Sequence, residues 1–110
     1  MVVVPLKHTV NKTTMEKCAK KLEEYKDILD KTTYLEMYSR YLVLDFIKEN
    51  KEKLDKLPSN MCLELTDRNN NTFYFNITRL AGEDGEKYNI SRTTNIVYLY
   101  IKAIHEEENI

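Results

Sequence analysis

Between Thr33 and Ile47 the chain is apolar around nearly the whole helical circumference. Leu35, Tyr38, Leu42 and Phe46 recur at three- and four-residue spacing and make one face, and Met37, Tyr41, Leu44 and Ile47 make a second. A helix with two apolar faces has to be covered on more than one side. The cover comes either from other elements of the same chain or from a second copy of it. Thr33-x-x-Glu36 reads as a capping box opening this helix. The charged run 48–53 extends it with i, i+4 pairs such as Glu49 and Lys53. Pro58 sets a hard limit to it.

The same periodicity begins earlier. Thr13-x-x-Glu16 is a first capping-box pattern. Met15, Cys18, Ala19, Leu22, Tyr25 and Leu29 follow at helical spacing, so residues 13–57 are expected to be helical, with an interruption at Asp30-Lys-Thr32. Beyond Pro58 the period changes to two. Met61–Thr66 and Thr72–Thr78 read as strands, and Phe73, Phe75 and Ile77 alternate with Tyr74, Asn76 and Thr78. The five residues Asp67-Arg-Asn-Asn-Asn71 tolerate turn dihedrals and join them as a hairpin. Gly82 and Gly85 bracket an acidic loop, and Tyr88–Ser91 reads as a short third strand. Residues 95–104 are β-branched and aromatic, which favours a strand. A helix running into Glu106-Glu-Glu108 is the alternative. At the other end, residues 2–10 alternate, with Val4, Leu6, His8 and Val10 one way and Pro5, Lys7 and Thr9 the other. Pro5 cannot donate to a ladder, so this is an edge strand, half of a two-stranded ribbon, or a loosely attached arm. The expectation is one α+β domain over 1–110: an N-terminal strand or arm at 1–12, a helical part at 13–57 and a β part at 61–105. Two helices of the N-terminal half would pack with an antiparallel sheet of three to four strands from the C-terminal half.

Composition narrows the chemistry. The chain has 110 residues and a formal net charge of −1, which argues against a nucleic-acid footprint over the whole molecule. The charge is uneven, since residues 1–21 carry Lys7, Lys12, Lys17, Lys20 and Lys21 against Glu16 alone. No apolar run approaches the length of a membrane span, and Met1–Pro5 does not make a signal peptide. A cytoplasmic place is expected, with the four Asn-x-Ser/Thr sequons unmodified. Cys18 and Cys62 lack metal-ligand spacing and read as buried, reduced thiols. With two glycines there is no phosphate-cradling loop. His8 and His105 stand apart, and no Ser or Cys sits in a nucleophile elbow. No catalytic, cofactor or metal residue is expected. Asp45, inside the apolar helix, needs a polar edge or a partner. Tyr74, Tyr98 and Tyr100 read as an aromatic patch on one sheet face and are the candidate interface residues.

A strand, a capped helix, a short turn and a second capped helix over residues 2–50 resemble a ribbon-helix-helix protein. Val4–Val10 is similar to the ribbon, Thr14–Leu29 to the first helix, and Asp30–Thr33 with the residues after it to the turn and second helix. The resemblance implies a dimeric DNA-binding regulator. Lys7 and Thr9 would face bases, and Thr32 and Thr33, with Lys12, would hold phosphates. A second resemblance lies in size and in a composition rich in Asn, Lys, Ile and Tyr, all with AT-rich codons. It is to the small accessory proteins of viruses and mobile elements, which act by binding a host protein. The expected function is therefore a non-enzymatic accessory protein that binds a protein partner or itself as a homodimer, with no membrane and no small molecule involved. The DNA-binding regulator is the alternative.

Overall fold

A computed structural model describes residues 2–81 and 87–108. Four strands form one sheet in the order β1-β2-β3-β4, with β1 at Val3–Thr9, β2 at Asn60–Thr66, β3 at Thr72–Leu80 and β4 at Lys87–Arg92. The β2–β3 and β3–β4 pairs are antiparallel, but β1 lies parallel to β2, from Val3 beside Asn60 to Thr9 beside Thr66. The sheet is therefore mixed, and one of its strands comes from the N-terminal half. A parallel pair needs a crossover of a dozen residues or more. Here it carries α1 (Lys12–Lys21), a single 3-10 turn (Glu23–Tyr25), α2 (Lys31–Glu49) and the short α3 (Lys51–Leu54).

The edge position expected from Pro5 holds. Val10 donates its amide to the Thr66 carbonyl at 2.8 Å. In a parallel strand the amides of alternate residues point the same way, so Leu6 and His8 also face β2 while Pro5, Lys7 and Thr9 face the open edge. The missing N–H of Pro5 costs the ladder nothing.

Both helix starts lie earlier than the capping boxes imply. Asn11 accepts from the Thr14 amide at 2.8 Å, and Asp30 accepts from the Thr33 amide at 2.7 Å. Asn and Asp compete with Thr at this position and win here. The first helix is also shorter than its periodicity suggests. Cys18 and Leu22 are buried, but Tyr25 is exposed, beyond the end of α1.

The two-faced central helix is covered by its own chain. Tyr38, Leu42, Val43, Phe46 and Ile47 pack on Met61, Leu63, Leu65, Phe73, Phe75 and Ile77 of the sheet, and Cys18 and Leu22 of α1 join the same cluster. Lys21 of α1 lies over the Tyr41 ring at 5.0 Å. Leu44, at 49%, is left exposed. Asp45 has its partner in Lys17 of α1 at 2.5 Å, which ties the two helices in register. Three further contacts lock the β3–β4 end. Arg79 donates to the carbonyls of Leu54 and Leu57, both at 2.7 Å, and so caps α3. Tyr88 donates to Asp55. Arg92 reaches Glu36 at 2.7 Å and lies over the Phe73 and Phe75 rings.

The expectation for the C-terminal segment is overturned. Asn95–Glu108 is a helix, α4, not a strand. Thr94 accepts from the Val97 amide at 3.4 Å and starts it. It packs on β1 and β2, on the sheet face opposite α1 and α2. Tertiary demand outweighs β propensity here. As a further strand, residues 95–104 would have extended an edge and left Cys62 uncovered. As a helix they bury Tyr98 against that face, and Cys62 is fully buried. The helices thus come from both halves of the chain and sandwich the sheet. The acidic loop at 82–85 lies outside the described residues.

Two stability measurements follow from this packing. Leu42 is 1% exposed at the centre of the cluster. Urea unfolding of Leu42→Ala should show a loss of about 2–5 kcal/mol. In the hairpin turn, Asn70 has φ 64°. Asn70→Gly should leave the urea midpoint unchanged or raise it. Asn70→Val, which strains the left-handed backbone, should lower stability by about 1–2 kcal/mol.

Candidate functional site

Two places on the surface concentrate polar or apolar side chains. The first is a cleft at the carboxyl end of β1, about 180 Å³ in volume. His8, Asn11, Thr14, Asp45, Glu49 and Asn50 line it. The elements explain the grouping. His8 faces α2 because it alternates with Lys7, and its ring lies 4.9 Å from that of Phe46. Asp45 and Glu49 stand one helical turn apart on α2. The Asn50 side chain closes α2 by donating to the Phe46 carbonyl at 2.8 Å. Burial, and then the charge of Lys53, lower the His8 pKa, while the charge of Asp45 acts the other way. Asp45 raises the pKa of Lys17 through their hydrogen bond and its charge. Among the described residues no group of three or more His, Cys, Asp and Glu side chains is arranged to hold a metal ion.

The second is α4. Ten large apolar side chains are exposed among the described residues, and five of them, Ile96, Val97, Leu99, Tyr100 and Ile104, lie on this helix. The inward face carries Tyr98, Ile101 and His105. The outward row is Ile96, Leu99, Tyr100 and Ala103, with Ile96 73%, Leu99 55% and Tyr100 67% exposed. These positions recur at three- and four-residue spacing, so they form a continuous stripe, not scattered residues. Glu106, Glu107 and Glu108 follow in the last turn.

The three tyrosines expected to share one patch are divided. Tyr74 and Tyr98 meet beneath α4 with ring centroids 5.7 Å apart, and Tyr98 is 4% exposed. Tyr74 also donates to Glu64 at 3.1 Å. Desolvation leads in raising the pKa of both phenols, and both feel the Glu64 charge. Tyr100 points the other way. In a strand Tyr98 and Tyr100 would share a face, whereas in a helix two residues apart they do not. Ile96, Leu99 and Ala103 escaped the sequence reading. The criterion applied to residues 33–47, apolar positions on two helical faces, would have found them in 96–104 too. Their β-branched neighbours masked it.

The five residues tied to DNA binding do not share a surface. Lys7 and Thr9 lie on the α4 side of β1, and Lys7 pairs with Glu64 at 3.7 Å. Lys12, Thr32 and Thr33 lie in the first turns of α1 and α2, in the layer beyond the sheet. Lys12 is 4.0 Å from Glu16. The Thr33 amide is already taken by Asp30, whose carboxyl it holds below the usual range. Both cysteines are fully buried and free, Cys18 in the helical layer and Cys62 on the α4 side. No helix among the described residues is long and apolar enough to cross a membrane.

In comparisons with known proteins, no family model, curated protein or solved structure matches this chain.

The cleft generates a pH prediction. A histidine whose pKa is lower in the folded state than its ordinary value of 6.5 binds its proton more readily when unfolded. Its contribution to stability is therefore complete above 6.5 and is lost as pH falls from there through the lower folded value. Urea unfolding at a series of pH values should show wild-type stability dropping faster than that of His8→Asn between about pH 7 and pH 5. The two curves should run parallel above that window.

Proposed function

We propose that this protein is a non-enzymatic interaction module, and that the outer row of α4 is the surface that meets its protein partner. The observation that carries this reading is the stripe of Ile96, Leu99, Tyr100 and Ala103 facing solvent on a helix whose other face is already packed. Isolated exposed leucines need no explanation, but a contiguous apolar stripe bordered by charge is typical of an interaction surface. Helices present such rows as i, i+3, i+4, i+7 anchors to a facing groove or helix. Tyrosine suits this use, because it supplies large contact area with few rotatable bonds. A role as a small accessory protein of a virus or mobile element fits the same reading.

The DNA-binding alternative has less support. It requires Lys7 and Thr9 to enter a groove from the face on which α4 packs, and the Thr33 amide to bind phosphate while Asp30 occupies it. The net charge of −1 adds no long-range attraction.

Site-specific photocrosslinking in cells that express the protein tests the proposal. With Tyr100→p-benzoylphenylalanine, discrete protein adducts should form. The same residue at Lys51, exposed on the far side of the sheet, should give none. Absence of any protein adduct from Tyr100 overturns the reading. A salt-dependent gel shift with duplex DNA that Lys7→Ala weakens would replace it with the DNA-binding one.

A further inference from the structure

We infer that the partner of the α4 stripe is a second copy of this chain, packed about a two-fold axis with the two α4 helices antiparallel. This rests on the reading of α4 as a protein-binding surface and specifies its occupant.

Three observations point to self-association. The first is the order of side-chain sizes. With the axis passing between Leu99 and Tyr100, Leu99 of each copy meets Tyr100 of the other, and Ile96 meets Ala103. The row therefore opposes its largest aliphatic end to its smallest residue twice over. A two-fold contact has to be complementary to itself in this way.

The second is charge. Glu106, Glu107 and Glu108 occupy the carboxyl end of α4, where the helix dipole disfavours acidic side chains. In the antiparallel pair this turn extends past the start of the neighbouring α4, where the dipole is positive. No acidic residue stands in the first turn of α4 to oppose it. The same turn is thus unfavourable within one copy and favourable across two. A parallel pair would bring both acidic turns together instead.

The third concerns the competing route. The open edge of β1 is one of the two sheet edges through which two copies could join, β4 forming the other. Its outward amides are those of the odd-numbered residues, and Pro5 among them has none. Proline at such a position guards an edge against pairing. Self-association by pairing of β1 is therefore disfavoured.

A single row on a 14-residue helix makes a small interface. The dimer should dissociate on the order of 1–100 µM.

Sedimentation equilibrium over a micromolar concentration series should show reversible monomer–dimer exchange. Leu99→Glu should weaken it at least tenfold, and Glu106→Lys combined with Glu107→Lys should weaken it as well. Circular dichroism should stay unchanged, because all three side chains are exposed. Cysteine crosslinking reads the register. Oxidation of the double variant Ile96→Cys, Ala103→Cys should yield a covalent dimer, while neither single variant should. Two turns of one helix separate the positions too far for a bridge within a chain, and native Cys18 and Cys62 are buried. A chain that stays monomeric throughout the series overturns the proposal, as does efficient crosslinking of Ile96→Cys alone. If the chain is monomeric but Tyr100 still forms adducts with another protein, self-association fails and the interaction-module reading stands. If neither occurs, both fail.

Discussion

Two strands that run the same way cannot be joined by a tight turn, and the parallel pairing of β1 with β2 imposes this constraint on everything else. The chain has to leave the end of β1, travel the length of the sheet and re-enter beside its starting point. That return path carries α1, α2 and α3 across one face. The apolar faces of α2 therefore find cover within the molecule, from the sheet below and α1 beside it. The Lys17–Asp45 pair links the two helices, and it satisfies the carboxylate set between Leu44 and Phe46.

The same constraint leaves a second face to cover. With all of residues 12–54 committed to one side, the outer surface of β1 and β2 can be shielded only by chain that follows β4. Helix α4 does this with Tyr98 at its centre. One layer of helix needs one apolar face, and α4 carries two. The excess lies outward, and this imbalance distinguishes α4 from α2. In both helices two faces are apolar. Neighbours of the same chain cover most of α2, whereas the outer row of α4 stays largely exposed among the described residues.

Periodicity in the sequence located most elements correctly. The change of period near Pro58 marks the passage from helix to strand, the Asp67–Asn71 turn is where its composition places it, and Pro5 does mark an edge. What periodicity does not carry is the pairing. Nothing in Val3–Thr9 states that its neighbour is Asn60–Thr66, because parallel ladders leave no local turn signal to read. The segment 95–104 was misread because its β-branched residues favour a strand locally, while the need to cover Cys62 and Tyr74 acts at long range. Capping moved by two or three residues for a simpler reason. Asn11 and Asp30 accept from the Thr14 and Thr33 amides, so each helix begins before the residue whose hydroxyl the capping box assigns to the cap. The tyrosine patch failed with the strand on which it depended.

The parallel ladder also sets an order of events for folding. The hairpins joining β2, β3 and β4 close through short loops, and each can form as soon as its two strands exist. The first strand cannot. Made before the other strands, it has no partner until the chain has been extended through α1, α2 and α3 to Thr66, and closing so long a loop carries an entropic cost that only the assembled sheet repays. During synthesis Val3–Thr9 therefore waits as an unpaired apolar segment. The proline that blunts its free edge in the finished sheet is already in place during that wait, when an exposed strand is most open to pairing with the wrong chain.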